Sequence, residues 1–414
     1  MKTAKHTVHT AATHTAATHT AATHTAGKPV ASVPAVSIPP DLTRQKAVGK
    51  ARRPVGDPVS PLKQSTRFLS VPETPPALLK VPFSLFDPAA SAAATAAGKL
   101  VFHCVGDTGG IHGTATEEAI ATGMELQITD AAEEDAASFF YNLGDVIYFN
   151  GQSTLYKTEF YEPYQYYPKL IFAIPGNHDG DTFVEKGDAP DTEPSLYGFM
   201  QNFCAKQAVT VTPYRMTMTQ PYCYWTLDAP FVTVIGLYSN VEGALDARGR
   251  MDQQHFLNTQ MQAADPNKKL IVAVHHPPYS LDSAHGGTPD ILNAIDQATQ
   301  AAGRGPDAVL SGHVHNYQRF SRVVGTKKIP YVVAGAGGYA NDAGSLHKLQ
   351  TELTTPPVKL PYATTVAGVS LEKYEQTMAG FLRITATAGE LAFEYFRVPF
   401  GGAAETTAFD TFTA

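Results

Sequence analysis

The chain has 414 residues, of which 43% are hydrophobic and 17% charged, and its net charge is −7. This is globular composition, long enough for one large domain plus extra segments. The acidic balance argues against a general nucleic-acid-binding role, and no apolar run approaches the length of a membrane span.

The first residues carry Lys2 and Lys5 but no apolar stretch of the secretory type, and Thr and Ala dominate up to the first acidic residue, Asp41. The compartment is left open. Residues 11–25 are three copies of Ala-Ala-Thr-His-Thr, which place His14, His19 and His24 at a regular interval. That interval fits no closed ligand set, so a disordered tail is preferred to a metal-collecting tract. Residues 27–80 are rich in Pro, Ser and Val, and Arg44, Lys46, Lys50, Arg52 and Arg53 form a basic run. Such a run is more often solvated than bound to a polyanion or an anionic membrane. Residues 1–80 therefore read as a low-complexity, disordered tail, 81–400 as the folded domain and 401–414 as a C-terminal tail.

From Leu100 the pattern changes. Leu100 to Gly106 reads as a strand ending in Asp107-Thr108-Gly109-Gly110. Thr116 to Ala137 reads as a helix, with Thr114 or Thr116 as cap and Glu117 and Glu118 in its first turn. Ser138 to Leu143 is a strand ending in Gly144-Asp145, Thr154 to Tyr167 an aromatic-rich helix, and Lys169 to Ile174 a strand ending in Pro175-Gly176-Asn177-His178-Asp179. Residues 180–222 are irregular apart from a helix near Leu196 to Lys206. Strands are expected at Tyr224–Leu227 and Val232–Leu237, and a helix at Asp252–Ala264. Leu270 to Val274 is a strand ending in His275-His276-Pro277-Pro278, followed by a helix from Ile291 to Ala302. Ala308 to Leu310 runs into Ser311-Gly312-His313-Val314-His315, and Tyr331 to Ala334 into Gly335-Ala336-Gly337-Gly338. Residues 341–375 are loop-like, and Phe381–Thr385 with Leu391–Val398 form a final hairpin. Alternating strands and helices argue for a layered α/β core. Of the three cysteines, Cys104 reads as core. Cys204 and Cys223 could pair, but lone thiols are the simpler reading of an odd, small number.

Five of these strand ends carry metal-competent side chains: Asp107; Asp145 with Tyr148; Asn177 with His178; His275; and His313 with His315. Carboxylate, phenolate, amide oxygen and imidazole suit hard or borderline divalent and trivalent ions, and the absence of Cys argues against a thiolate zinc site. Each motif alone has an ordinary explanation, a turn or a satisfied loop histidine. Together, all at strand ends, they form a set. Seven donors are too many for one tetrahedral ion and suit two ions, with Asp145 as the natural bridge. Two such ions can clamp a phosphoryl group and generate a nucleophile at neutral pH.

The blocks Gly106-Asp107-Thr108-Gly109, Gly144-Asp145-Val146-Ile147-Tyr148, Gly176-Asn177-His178-Asp179, Val272-Ala273-Val274-His275 and Gly312-His313-Val314-His315 resemble the five blocks of the purple acid phosphatases, within the calcineurin-like metallophosphoesterases. Position 109 is Gly where the wider superfamily has a His ligand, and Tyr148 is the compensating ligand of the purple acid subgroup. The resemblance implies a layered β-sandwich flanked by helices. It implies two metal ions: Fe(III) held by Asp107, Tyr148 and His315, and a divalent ion (Fe, Zn or Mn) held by Asn177, His275 and His313, with Asp145 bridging. A ferric–phenolate bond should colour the protein. His178 and His285 are implied as substrate-facing catalytic histidines. Plant-type members carry an extra N-terminal β-domain, for which residues 1–80 show no strand alternation. The irregular stretches 180–222 and 341–375 are expected to rim the site.

The expected function is hydrolysis of small phosphate monoesters by a metal-bound hydroxide. A phosphodiesterase acting on nucleotide or lipid-headgroup diesters is the alternative, and a non-catalytic metal- or phosphate-binding protein is the alternative of another class. Oligomeric state is left open.

Overall fold

The computed structural model describes residues 53–59, 75–181, 193–241, 245 and 252–414. The Ala-Ala-Thr-His-Thr repeats, the basic run up to Arg52, residues 60–74 and residues 182–192 of the expected rim lie outside the described residues. In chain order the strands are β1 (Lys80–Pro82), β2 (Lys99–Val105), β3 (Phe139–Asn142), β4 (Leu170–Ala173), β5 (Trp225–Ala229), β6 (Val232–Leu237), β7 (Lys269–Val274), β8 (Ala308–Ser311), β9 (Tyr317–Val324), β10 (Lys327–Ala334), β11 (Tyr362–Ala363), β12 (Val369–Glu375), β13 (Ala379–Thr387), β14 (Leu391–Val398) and β15 (Asp410–Thr413). The helices are α1 (Pro88–Ala97), α2 (Ala115–Thr129), α3 (Asn177–Gly180), α4 (Tyr197–Phe203), α5 (Asp252–Gln262), α6 (Pro289–Ala302) and α7 (Thr351–Thr354).

The strands form two mixed sheets, one ordered β1-β5-β6-β7-β8-β10-β9-β12-β11 and the other β15-β14-β13-β2-β3-β4. They face each other as a sandwich flanked by helices, the layered α/β class expected. Aromatic side chains fill the space between them. Phe172 of β4 lies 5.5 Å from Trp225 of β5, and Phe83 lies 5.2 Å from Phe139 of β3. Strands β2, β3 and β4 are parallel, as are β6, β7, β8 and β10. Where they are covered on both faces they are mostly apolar, as the buried Leu-Ile-Val-Ala-Val of β7 illustrates.

Helix ends follow local chemistry. Asp87 caps α1 by accepting from the Ala90 N–H at 2.9 Å, Pro88 opens it, and Gly98 closes it at φ 71°. In α6 the buried residues Ile291, Ala294, Ile295 and Ala298 fall on one stripe.

Several expectations need correction. α2 stops at Thr129, not Ala137, because Asp130, Glu133, Glu134 and Asp135 follow, and anions are unfavourable at a helix C-terminus. The aromatic stretch 154–167 is a short π-helix (Lys157–Tyr161) among turns, with Tyr156, Phe160, Tyr161, Tyr164 and Tyr167 all buried. Pro163, inside the stretch, has no N–H to continue a regular helix and its ring crowds the preceding turn. Residues 341–375 contain α7, β11 and β12. Residues 401–414 are not a tail, since β15 pairs antiparallel with β14. Residues 53–59, within the expected tail, bond to the folded part, Gly56 N–H donating to Gln350 Oε1 at 2.9 Å. Arg53 is no solvated charge, since it donates to the carbonyls of Ser280 and of Asp282, the latter at 2.7 Å. Cys104, Cys204 and Cys223 are all free thiols.

Candidate metal centre

The parallel strands of both sheets end on the same side, where the chain leaves β2 at Asp107, β3 at Asp145, β4 at Asn177, β7 at His275 and β8 at His313. Ligand sites in α/β proteins form outside such carboxyl ends. Backbone bonds knit the ends together: Asp107 N–H to Gly144 O at 2.8 Å, Gly312 N–H to His275 O at 3.1 Å, and, between the two sheets, Gly106 N–H to Ala334 O at 2.9 Å.

The seven candidate donors converge as two triangles. In the first, the Tyr148 hydroxyl lies 3.2 Å from Asp107 Oδ1 and 3.1 Å from His315 Nε2, and that nitrogen lies 3.4 Å from Asp107 Oδ1. In the second, Asn177 Oδ1 lies 3.2 Å from His275 Nε2 and 2.9 Å from His313 Nδ1. Asp145 Oδ2 joins it at 3.2 Å from His275 Nε2. Asp145, His275 and His313 offer donor atoms within 4.8 Å of one another. The remaining oxygens of the two carboxylates are held by main-chain donors: Asp107 Oδ2 by the His313 N–H and Asp145 Oδ1 by the His178 N–H, each at 2.8 Å. Gly176 is required for this approach, because a Cβ there would come within 2.0 Å of Asp145 Oδ1.

The donor set fits cations. Two donors each about 2.1 Å from one ion lie roughly 3.0 Å apart at a right angle and 3.4 Å at the tetrahedral angle, the spacing found in both triangles. Protonation tells the same story. His275 Nδ1 donates to Leu143 O at 2.9 Å, so in the neutral ring Nε2 bears a lone pair that faces two oxygen acceptors. Something positive must sit among them. Without a metal it is a proton: although burial favours neutral His275, the Asp145 charge raises it to about 9. Burial and then the Asp145 charge raise Asp107 to about 8, and burial and then the Asp107 charge push the Tyr148 phenol well above its usual value. Burial also raises Asp145, but the His275 and His178 charges bring its carboxyl below the usual range. Burial keeps His313 and His315 neutral, the latter at about 3. A protonated Asp107, a protonated His275 and a Tyr148 phenol that resists ionisation are groups that only added positive charge can bring into their ligating forms together.

The His276 ring packs 4.3 Å from that of His313 with its Nδ1 2.7 Å from Ser239 Oγ, whereas His275 Nε2 faces the Asn177 and Asp145 oxygens. His178 is half-buried; its Nδ1 donates to Phe149 O at 2.6 Å, leaving Nε2 as its second polar atom. His285 stands with its ring 5.1 Å from that of His313 and its Nδ1 3.5 Å from Asp282 Oδ1. Sequence reasoning missed its two supports, Asp282 and His347. The rings of His285, His347 and His315 form a stack, at 4.3 Å and 15° for the first pair and 4.2 Å and 8° for the second. Asp282, His285 and His347 also bring donor atoms within 4.8 Å. Two nearly parallel ring planes cannot both contain one ion, so this group acts as a stacking and hydrogen-bonding support. Its only sequence signal was Asp282 three residues before His285.

The model of the calcineurin-like phosphoesterase family matches residues 100–317. Purple acid phosphatase 21 of Arabidopsis thaliana is 27% identical over 145 residues, which is 33% of this chain and 32% of that protein. Tartrate-resistant acid phosphatase type 5 of Oryctolagus cuniculus is 23% identical over 310 residues, 72% of this chain and 86% of that one. The match thus spans about a third of the plant relative's length and most of the rabbit one's. Among solved structures, a purple acid phosphatase from yellow lupin (Lupinus luteus) seeds has a similar fold, with a TM-score of 0.54 at 17% identity over 76% of this chain and 53% of that one.

Proposed function

The chain belongs to the calcineurin-like phosphoesterase family, whose members bind two metal ions, and we propose that it hydrolyses phosphate monoesters at a two-metal centre of the purple acid type. The observation that carries this reading is the pair of donor triangles, with Asp145 in contact with the second and its charge acting on Asp107 and Tyr148 of the first. Asp107, Tyr148 and His315 would hold a ferric ion, Asn177, His275 and His313 a divalent one (Fe, Zn or Mn), and Asp145 both. A phenolate and a carboxylate favour the trivalent ion over neutral imidazoles. When bound, such a pair supplies concentrated positive charge for a phosphoryl group and lowers the pKa of a water molecule. The similarity to named acid phosphatases supports the monoester choice.

The chain's own residues do the rest. The His178 ring is pinned through Nδ1 to Phe149 O, so it can carry a proton to a leaving oxygen only through Nε2. His285 stands on the opposite flank, oriented by Asp282 and His347, where it can bind a phosphoryl oxygen. The test is turnover of glycerol 2-phosphate against a bis-ester by metal-loaded protein, with metal analysis and a visible spectrum on the same sample. Monoester turnover that falls at least a hundredfold in Asp145→Ala and Asn177→Ala is expected; full activity in either variant refutes the reading. Preference for the bis-ester would favour the phosphodiesterase alternative, and loaded protein without turnover the non-catalytic one. Active protein that is colourless and iron-free would remove Tyr148 from the ligand set.

A further inference from the structure

The two flanks of the centre differ. On the His313 side stand imidazoles and Asp282. On the Tyr148 side stand three rings that reach solvent. Phe149 is 36% exposed, unusual for a phenylalanine next to a buried polar centre, His112 is exposed and Tyr339 is half-buried. They pack at steep angles: His112 on Tyr339 at 5.0 Å and 70°, His112 on Phe149 at 5.7 Å and 71°, and Phe149 on Tyr339 at 6.1 Å and 79°. A 3.2 Å hydrogen bond between His112 Nε2 and the Tyr339 hydroxyl fixes the corner. Tyr339 in turn packs 4.5 Å from the Tyr148 ring and 4.3 Å from that of His315, and Phe149 lies 5.9 Å from His178. The rim is therefore continuous with the donors and with the imidazole that faces the leaving oxygen.

From this arrangement we propose that His112, Phe149 and Tyr339 form a binding corner for the leaving group of aryl phosphates, giving the enzyme a preference for flat aromatic over alkyl monoesters. The inference rests on the phosphomonoesterase reading of the same centre. The Phe149 ring lies 5.9 Å from the His178 ring, so in this proposal a leaving group held at His178 extends along the flank that carries Phe149. A flat ring there covers half-exposed apolar surface and meets both ring faces and ring edges, the geometry aromatic pairs prefer. An alkyl chain gains only part of that contact.

The measurement is kcat/KM for phenyl phosphate divided by that for glycerol 2-phosphate, compared between the parent and Phe149→Leu. Taking the change in the ratio cancels the intrinsic reactivity of the two leaving groups. Loss of one aromatic pairing should lower the ratio by about three- to tenfold, and His112→Ala, at an exposed position, should lower it in the same direction. An unchanged ratio in both variants overturns the proposal. Binding of phenylphosphonate against methylphosphonate, measured by calorimetry, needs no turnover. The parent should favour the phenyl compound, Phe149→Leu should lose that preference, and equal affinities in the parent overturn the corner. If the parent hydrolyses neither ester, the phosphomonoesterase reading falls while the phosphonate comparison still decides the corner.

Discussion

A Cβ at Gly109 would lie 2.6 Å from Ile147 Cα and 2.9 Å from Tyr148 Cδ2. The Gly109–Tyr148 combination therefore has a steric basis, because the phenol ring occupies room that a larger residue at 109 would need. Backbone strain marks the same neighbourhood. Asp107, Asp145 and His313 sit at φ 59°, 52° and 67°, a left-handed conformation that disfavours side chains with a Cβ. It persists because the Asp107 and His313 N–H groups are fixed by Gly144 O and Asp107 Oδ2. Behind Tyr148 lies a different charge problem. Glu117 is fully buried, and neither carboxyl oxygen has a hydrogen-bond partner among the described residues. Burial, then the charges of Glu159 and Glu118, raise it well above its ordinary value of 4.5. The folded state thus keeps a proton that the unfolded chain releases, so stability is greatest below pH 4.5 and falls as pH rises toward the raised pKa, by about 1.4 kcal/mol per pH unit for this group. Glu117→Gln removes that slope. Thermal unfolding from pH 5 to 8 should show the variant gaining on the parent as pH rises, and parallel curves would show that Glu117 is ionised and paired.

At the level of elements, β15 bears on stability. Asp410 accepts from Arg319 of β9 at 2.7 and 2.9 Å and from the Tyr317 hydroxyl at 2.8 Å, which ties the edge of one sheet to the other. Phe412 stacks on Phe393 at 4.6 Å and lies under the Arg319 guanidinium. Asp410→Ala leaves a mostly buried cation without its partner and should destabilise by on the order of 3 kcal/mol. A change under 0.5 kcal/mol in urea unfolding would mean that residues 401–414 are energetically a tail after all. These elements also show what could be seen beforehand. The buried parallel strands β2, β3, β4, β7 and β8 were legible because apolar runs stop abruptly at Gly or Pro beside polar residues, and their ends carried the whole donor set. β9 and β12 were not, because Arg319, Arg322 and Glu372 break the apolar pattern. Their charges are met by Asp410, Asp296 and Lys328, partners that only the tertiary fold brings near. The His285–His347–His315 stack and the aromatic corner were hidden for the same reason: His347 and Tyr339 lie far in sequence from the rings they touch.

Across the whole molecule, the proposed donors divide between the sheets. Asp107, Asp145, Tyr148 and Asn177 follow β2, β3 and β4 of one, and His275, His313 and His315 follow β7 and β8 of the other. Each triangle takes donors from both, so cations there would cross-link the sandwich at one end, besides serving chemistry. Metal-free, two of these groups hold protons that a cation would displace: burial raises Asp107 to about 8, and the Asp145 charge raises His275 to about 9. Cations bound a thousandfold below their free concentration would add about 4 kcal/mol per ion, which for a domain of this length raises Tm by on the order of 5 to 10 °C for the pair. Stripping metal with a chelator should lower Tm by that amount, and restoring it should reverse the change. In Asp145→Ala the gap between loaded and stripped protein should shrink to less than half if, as proposed, that carboxylate serves both positions. Equal Tm values for parent protein shown by metal analysis to be full and empty would mean that the sheets are not joined through these side chains.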